Sequence, residues 1–263
     1  MTFKMLALDI DGTLLEDDLS ILPELPSVIS KLQEDGIIVT LSTGRAFPSA
    51  KKYADLIGIC VPLVCYNGAQ IRAAEAASPL FEANLSLELM TDIIRFCEPM
   101  DWYLQLYNND KIVVSEICSH TVADPDFANM PTLEMGKLSA ASLGPSPKIM
   151  TRCEKSELAA RRKMLEQEFG ARLYVTGSTS QLLEMMPIGI SKAEALKTLC
   201  EQLDISPSQL LACGDGDNDR EMLQFAGMGC AMANAAGRTK AAADYVCGQK
   251  NGHGVLEAIK RFL

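Results

Sequence analysis

Apolar and polar positions alternate in blocks along the chain. FKMLALDI is a short apolar run without a two-residue period, the pattern of a strand covered on both faces, and it ends at Asp9. Ile21 to Gln33 carries helical spacing with a stop at Gly36, and IIVTLST is a second apolar strand closing on Thr43 and Gly44. Pro48 to Ile57 reads as helix up to Gly58, and PLVCYNG as a third strand ending in Asn67 and Gly68. The same rhythm returns late: helix Ala193 to Leu203, strand QLLACGDG, helix Asp219 to Phe225 and strand GCAMA. Strands alternating with helices predict right-handed crossovers and an α/β fold with a doubly wound parallel sheet, built from both ends of the chain.

The rhythm breaks between residues 83 and 187. A helix over Leu87 to Cys97, strands WYLQLY and KIVVSE, strand KIMTRC, a helix over Lys155 to Phe169, and strands ARLYVTG and QLLEMM form an α+β block. It predicts an inserted α+β domain at 83–187 within a core of 1–82 and 188–263. Asp124 to Pro147, with four prolines, reads as a long loop inside the insert, and Gly252-His253-Gly254 as a loop before the last helix.

Composition narrows the class. The 263 residues are 48% hydrophobic and 22% charged, ordinary for a globular protein. No apolar run approaches the ~18 residues of a membrane span, and the N-terminal run is too short for a signal peptide. Nine cysteines with no CxxC pair read as free thiols in a reducing cytoplasm. A net charge of −10 lacks the basic footprint that nucleic acid requires.

Four polar clusters sit at strand ends or at the start of a late helix: Asp9-Ile-Asp11-Gly-Thr13, Ser42-Thr43-Gly44-Arg45, Ser191-Lys192, and Gly214-Asp215-Gly216-Asp217-Asn218-Asp219. Ligands of open α/β sheets bind outside the carboxyl ends of the strands, where the three strand-end clusters converge. Asp9 and Asp11, two residues apart, can face one substrate: one attacks phosphorus, giving an aspartyl-phosphate, and the other moves protons. Two carboxylates beside a phosphate dianion call for a divalent cation, and all-oxygen ligands suit magnesium, with Asp215 as a third ligand. Lys192 offers a point charge to phosphoryl oxygens, and the Thr43 hydroxyl with the Gly44 and Gly12 N–H groups offers donors. Asp219 fits holding Lys192 or orienting the loop.

DIDGTL, STGR, SKAEAL and GDGDNDREML, in this order, resemble the four motifs of the haloacid dehalogenase superfamily. The Asn67-Gly68-Ala69 turn and the long insert resemble its Cof-type subclass IIB. The resemblance covers nearly the whole chain and implies a Rossmann-like core, a cap domain, and a magnesium-dependent phosphomonoesterase. It implies Asp9 as nucleophile, Asp11 as acid/base, and phosphate binding by Thr43, Lys192 and Asn218, with Asn67 touching the substrate's phosphate. Magnesium is implied on Asp9, Asp215 and the backbone carbonyl of Asp11. One departure is Ala193, where the family usually has glycine.

Sugar phosphates are the first expected substrates, with pyridoxal phosphate and flavin mononucleotide as further options. A phosphomutase or phosphotransferase is the alternative enzyme, and an idle phosphate-binding regulatory module the alternative of another class. A calcium loop in DGDND is excluded, since position six is Arg220 instead of glycine and position twelve Ala226 instead of glutamate. Arg45 reads as a surface ion-pair partner, and His120 and His253 lack a supporting constellation.

Overall fold

The computed structural model describes residues 3–177 and 181–263. The chain divides into two compact units, one of Met1–Gly44, Ala50–Phe81 and Ser191–Leu263, the other of Arg45–Ser49 and Glu82–Ile190.

The first unit is built on a parallel sheet, five-stranded among the described residues, ordered Tyr245–Val246, Met228–Ala231, Leu210–Gly214, Met5–Leu8, Ile38–Leu41. The strand MLAL, paired on both sides, is buried at every position, which is why its sequence shows no alternation. Leu8 stands level with Leu41 on one side and Cys213 on the other, and Gly214 with Ala231. The chain therefore leaves the sheet at one level at Asp9, at Ser42-Thr43 and at Asp215. Met5, Ala7, Leu210 and Ala212 pack with Leu196, Leu199, Met222 and Leu223 from the helices Lys192–Gln202 and Arg220–Phe225.

Three expectations shift in this unit. The first long helix begins at Leu25, with a proline in its first turn, where the missing N–H leaves no bond unmade. Leu63–Cys65 is joined to the parallel sheet by a bridge between Ser42 and Val64 and runs antiparallel to Gln70–Arg72. Gly252-His253-Gly254 is part of the last helix, Asn251–Phe262, instead of a loop. The cause is tertiary: a Cβ on Gly254 would lie 2.6 Å from the Met232 sulfur, so this helix face approaches its neighbours closely.

The second unit carries a mixed sheet, six-stranded among the described residues, ordered Leu173–Thr176, Leu182–Pro187, Ile149–Arg152, Gln105–Asn108, Lys111–Val114, Thr132–Glu134. Asn109 and Asp110 have φ of 48° and 57°, the left-handed pair that a two-residue hairpin needs. Leu106, Val113, Ile149, Leu183 and Met185 share one apolar core with helices Leu87–Cys97 and Leu158–Phe169. Ser86 caps the first of these by accepting the Leu89 N–H at 3.2 Å. The stretch 124–147 holds more order than expected: Thr132–Glu134 adds a parallel edge strand and Ala140–Leu143 a short helix. No helix among the described residues is long and apolar enough to cross a membrane.

Candidate active site

Beyond Leu8 the chain makes a wide turn, Ile10–Leu14, closed by Leu14 N–H to Asp9 C=O at 3.2 Å and Leu15 N–H to Ile10 C=O at 3.0 Å. Gly12 sits in this turn at φ 76°, and a Cβ there would fall 2.4 Å from Asp215 Oδ2, so only glycine fits. A second glycine constraint lies at Gly68, φ 99°, where a Cβ would stand 2.2 Å from the Ser191 carbonyl oxygen. It brings the Asn67 turn against the start of the Lys192–Gln202 helix, whose Ser191 hydroxyl accepts the Glu194 N–H at 3.3 Å.

Lys192 is the charge centre. Its ammonium donates to Asp9 Oδ1 at 2.6 Å and to Asp219 Oδ1 at 2.5 Å, all three side chains being buried. Burial pulls the Lys192 pKa down, but Asp219 and Asp9 outweigh it and the pKa is raised. Asp219 Oδ2 accepts the main-chain N–H groups of Asp215 at 2.9 Å and Gly216 at 2.8 Å. Asp219 therefore contacts both Lys192 and the main chain of its own loop.

One carboxylate oxygen from each of Asp9, Asp215 and Asp219 lies within 4.8 Å of the others. Burial first, then Asp219, pushes Asp215 up to about 7; burial and then Asp219 raise Asp9 well above the usual carboxylate range, although Lys192 opposes this. Three carboxylates against one ammonium leave a surplus of negative charge. An all-oxygen donor set with that surplus fits a hard divalent cation. Asp11, half-buried on the turn, is not one of the three.

The phosphate-binding candidates lie in the same unit. Thr43 is buried; its N–H donates to Val64 C=O at 2.9 Å and its C=O accepts the Asn67 N–H at 2.9 Å. Asn67, at φ 53°, accepts from Asn218 Nδ2 at 2.8 Å, and a Cβ on Gly44 would lie 2.9 Å from Asn67 Oδ1. The structure thus brings Thr43, Gly44, Asn67 and Asn218 into one contact group. Arg45 is buried instead of on the surface, and its guanidinium donates to Ser49 Oγ at 3.1 Å.

Sequence reasoning gave no role to two further residues. Thr13 Oγ1 donates to Asp215 Oδ1 at 3.1 Å, and Asn234 Nδ2 donates to Asp215 Oδ2 at 3.1 Å. The strand-end rule that found Asp9 and Asp215 also marks Asn234, three residues beyond the strand Met228–Ala231.

Comparisons with known proteins give the family. A family model described as haloacid dehalogenase-like hydrolase matches residues 6–259. The chain is 25% identical over 265 residues to the 5-amino-6-(5-phospho-D-ribitylamino)uracil phosphatase YitU of Bacillus subtilis, covering 98% of this chain and 97% of that one. It is 27% identical over 243 residues to the HMP-PP phosphatase of Yersinia pestis, covering 90% and 86%. Among solved structures, a haloacid dehalogenase-like hydrolase from Bacteroides thetaiotaomicron superposes with a TM-score of 0.87 at 28% identity, covering 100% of both chains. With a wide turn built around Gly12, a buried lysine between two aspartates, and a family match over nearly its full length, this chain belongs to the haloacid dehalogenase-like hydrolases.

Proposed function

We propose that the protein is a magnesium-dependent phosphatase of small phosphorylated metabolites, working through an aspartyl-phosphate on Asp9. The observation that carries this reading is the 2.6 Å contact from Lys192 to Asp9 beside the Asp215 and Asp219 carboxylates. A nucleophilic carboxylate must be ionised: the Lys192 ammonium favours the charged form of Asp9, while burial and the Asp219 carboxylate outweigh it in the metal-free site, so a bound cation is needed to complete the offset.

In the first step an Asp9 oxygen attacks phosphorus, the bond from phosphorus to the leaving oxygen breaks, and Asp11 donates its proton to the departing alkoxide. In the second, Asp11 takes a proton from water, which attacks the same phosphorus and releases phosphate and free Asp9. Lys192, Asn218, the Thr43 hydroxyl and the Gly44 N–H bind and orient phosphoryl oxygens, and Asn67 supports them through Asn218. Asp9, Asp215 and the Asp11 carbonyl would hold Mg2+, which when bound neutralises the surplus carboxylate charge and polarises the phosphoryl group.

The named relatives are phosphatases of small phosphorylated compounds, which supports the substrate class. Sugar phosphates remain the first candidates, with pyridoxal phosphate and flavin mononucleotide next. Residues 83–187 are proposed as the specificity-bearing cap of a core formed by 1–82 and 188–263.

The test is phosphate release from a panel of sugar phosphates, nucleotides, pyridoxal phosphate and flavin mononucleotide, with Mg2+ or EDTA, for wild type and Asp9→Asn. Release that needs Mg2+ and vanishes in Asp9→Asn is the expected result. Near-normal turnover in Asp9→Asn would sink the covalent mechanism, and isomer formation without phosphate release would make the protein a mutase.

A further inference from the structure

Asp215 is gripped at both oxygens by neutral donors. Thr13 Oγ1 reaches Oδ1 at 3.1 Å, and Asn234 Nδ2 reaches Oδ2 at 3.1 Å. The same amide nitrogen donates to the Gly12 carbonyl at 2.8 Å, inside the wide turn that follows Asp9. One side chain therefore ties the end of the Leu210–Gly214 strand to the turn after Met5–Leu8.

The other end of the amide is fixed as well. Asn234 Oδ1 accepts the Asn251 N–H at 3.2 Å, so both ends of the Asn234 amide are engaged and its orientation is determined. Asn251, left-handed at φ 52°, is the first residue of the last helix, so its N–H has no acceptor within that helix. Its side chain donates to Asp17 Oδ1 at 2.8 Å, Lys250 reaches Asp17 Oδ2 at 2.6 Å, and Gly252 N–H donates to Glu16 Oε1 at 3.0 Å. The start of the last helix is thus bound to the segment that follows the wide turn.

We propose that Asn234 is a positioning residue: it fixes the rotation of the Asp215 carboxylate and, through the Gly12 carbonyl, anchors the turn that carries the Asp11 carbonyl, holding two arms of the magnesium site at a set separation. The Lys250-Asn251 turn keeps its amide in that orientation. This rests on the magnesium reading above. Partners that orient a ligand's carboxylate commonly change metal affinity 10- to 100-fold when removed. Asn234 is exposed, so truncating it leaves no core cavity.

The experiment is isothermal titration of the metal-free protein with Mg2+ alone, without substrate, for wild type, Asn234→Ala and Asn234→Ser, alongside melting in EDTA. Asn234→Ala is expected to weaken Mg2+ binding about 10- to 100-fold with its metal-free melting temperature within about 2 °C of wild type. Asn234→Ser, which keeps one donor, falls between. Unchanged Mg2+ affinity in Asn234→Ala overturns the positioning role and leaves the phosphatase reading standing. So does an affinity loss matched by a large fall in the metal-free melting temperature, which makes Asn234 merely structural. Wild type that takes up no Mg2+ overturns the magnesium reading and this role with it.

Discussion

Two buried lysines, one in each unit, solve the same electrostatic problem on different mounts. Lys192 sits between Asp9 and Asp219, while Lys148 donates to Glu184 Oε1 at 2.7 Å and lies 4.7 Å from the centre of the Tyr107 ring. For both, burial opposes the charged form and neighbouring carboxylates more than offset it, so both pKa values are raised. The partners differ in how they are held. Asp9 and Asp219 stand on turns beyond strand ends, the position at which open α/β sheets bind ligands. Glu184, by contrast, sits inside Leu182–Pro187 opposite Met150, and Tyr107 inside Gln105–Asn108, where the hydrogen-bond ladder fixes them. Tyr107 accepts from Gln105 Nε2 at 2.7 Å, and Gln105 accepts from the Tyr103 hydroxyl at 2.6 Å, which extends the fixed network. A charge on a turn can serve chemistry, whereas a charge clamped in a ladder serves the fold.

The largest effect should come from breaking the ladder-mounted pair. Lys148→Met leaves Glu184 buried without its 2.7 Å ammonium and is expected to cost about 3–5 kcal/mol. Replacing both, Lys148→Met with Glu184→Leu, should recover the Glu184 part of that loss, because an apolar pair needs no desolvation, while Asp126 and Asp124 still lack the ammonium that faces them. The single tryptophan, Trp102, belongs to this unit and packs edge-on against Phe96, so its fluorescence in urea follows the unfolding. A double variant as unstable as the single, or turnover lost while stability is kept, would break the contrast. Next comes Lys192→Ala, expected to lower kcat about 10²- to 10³-fold as a lost charge-stabilising donor. Unchanged kcat would put Lys192 in the same structural class as Lys148.

The two clusters were not equally legible. Asp9, Asp11, Thr43 and Asp215 each close an apolar run, so strand-end reasoning could reach them, and Lys192 follows from the negative charge they assemble. Lys148 and Glu184 are 36 residues apart in sequence, in KIMTRC and QLLEMM, and only the strand register brings them together. No spacing rule encodes such a pair. Thr132–Glu134 escaped for a related reason: three residues after Pro131 carry no period, and their parallel pairing with Ile112–Val114 is a tertiary fact. Leu87–Cys97 is legible as a helix because its apolar period is complete within the segment. Asn234 was missed because a lone amide after a strand is ordinary turn chemistry until its acceptors are known.

The smallest effect tests the carboxylates by pH. Burial first, then Asp124, pushes Asp126 up to about 6, and burial with Asp219 pushes Asp215 up to about 7. Both folded-state values exceed the ordinary ~3.9 of an unfolded aspartate. Each group's contribution to stability is therefore fully present below about pH 4 and is lost as pH rises through its folded value. The metal-free protein should lose stability from about pH 4 upward, with Asp9, raised by burial and Asp219, adding to the Asp126 and Asp215 losses. Saturating Mg2+ should remove the Asp215 part, because binding the ion requires the ionised carboxylate, and leave the Asp126 part in place. Asp126→Asn can still accept the Ala46 N–H, now held at 3.0 Å, without burying a charge beside Asp124. It should flatten the profile up to about pH 6 and raise stability at neutral pH by at most about 3 kcal/mol. Melting curves from pH 4 to 8, in EDTA and in Mg2+, read both effects. A Mg2+-insensitive profile in wild type would move the buried carboxylate surplus from the metal site to the fold, and the two clusters would then differ only in their mounts.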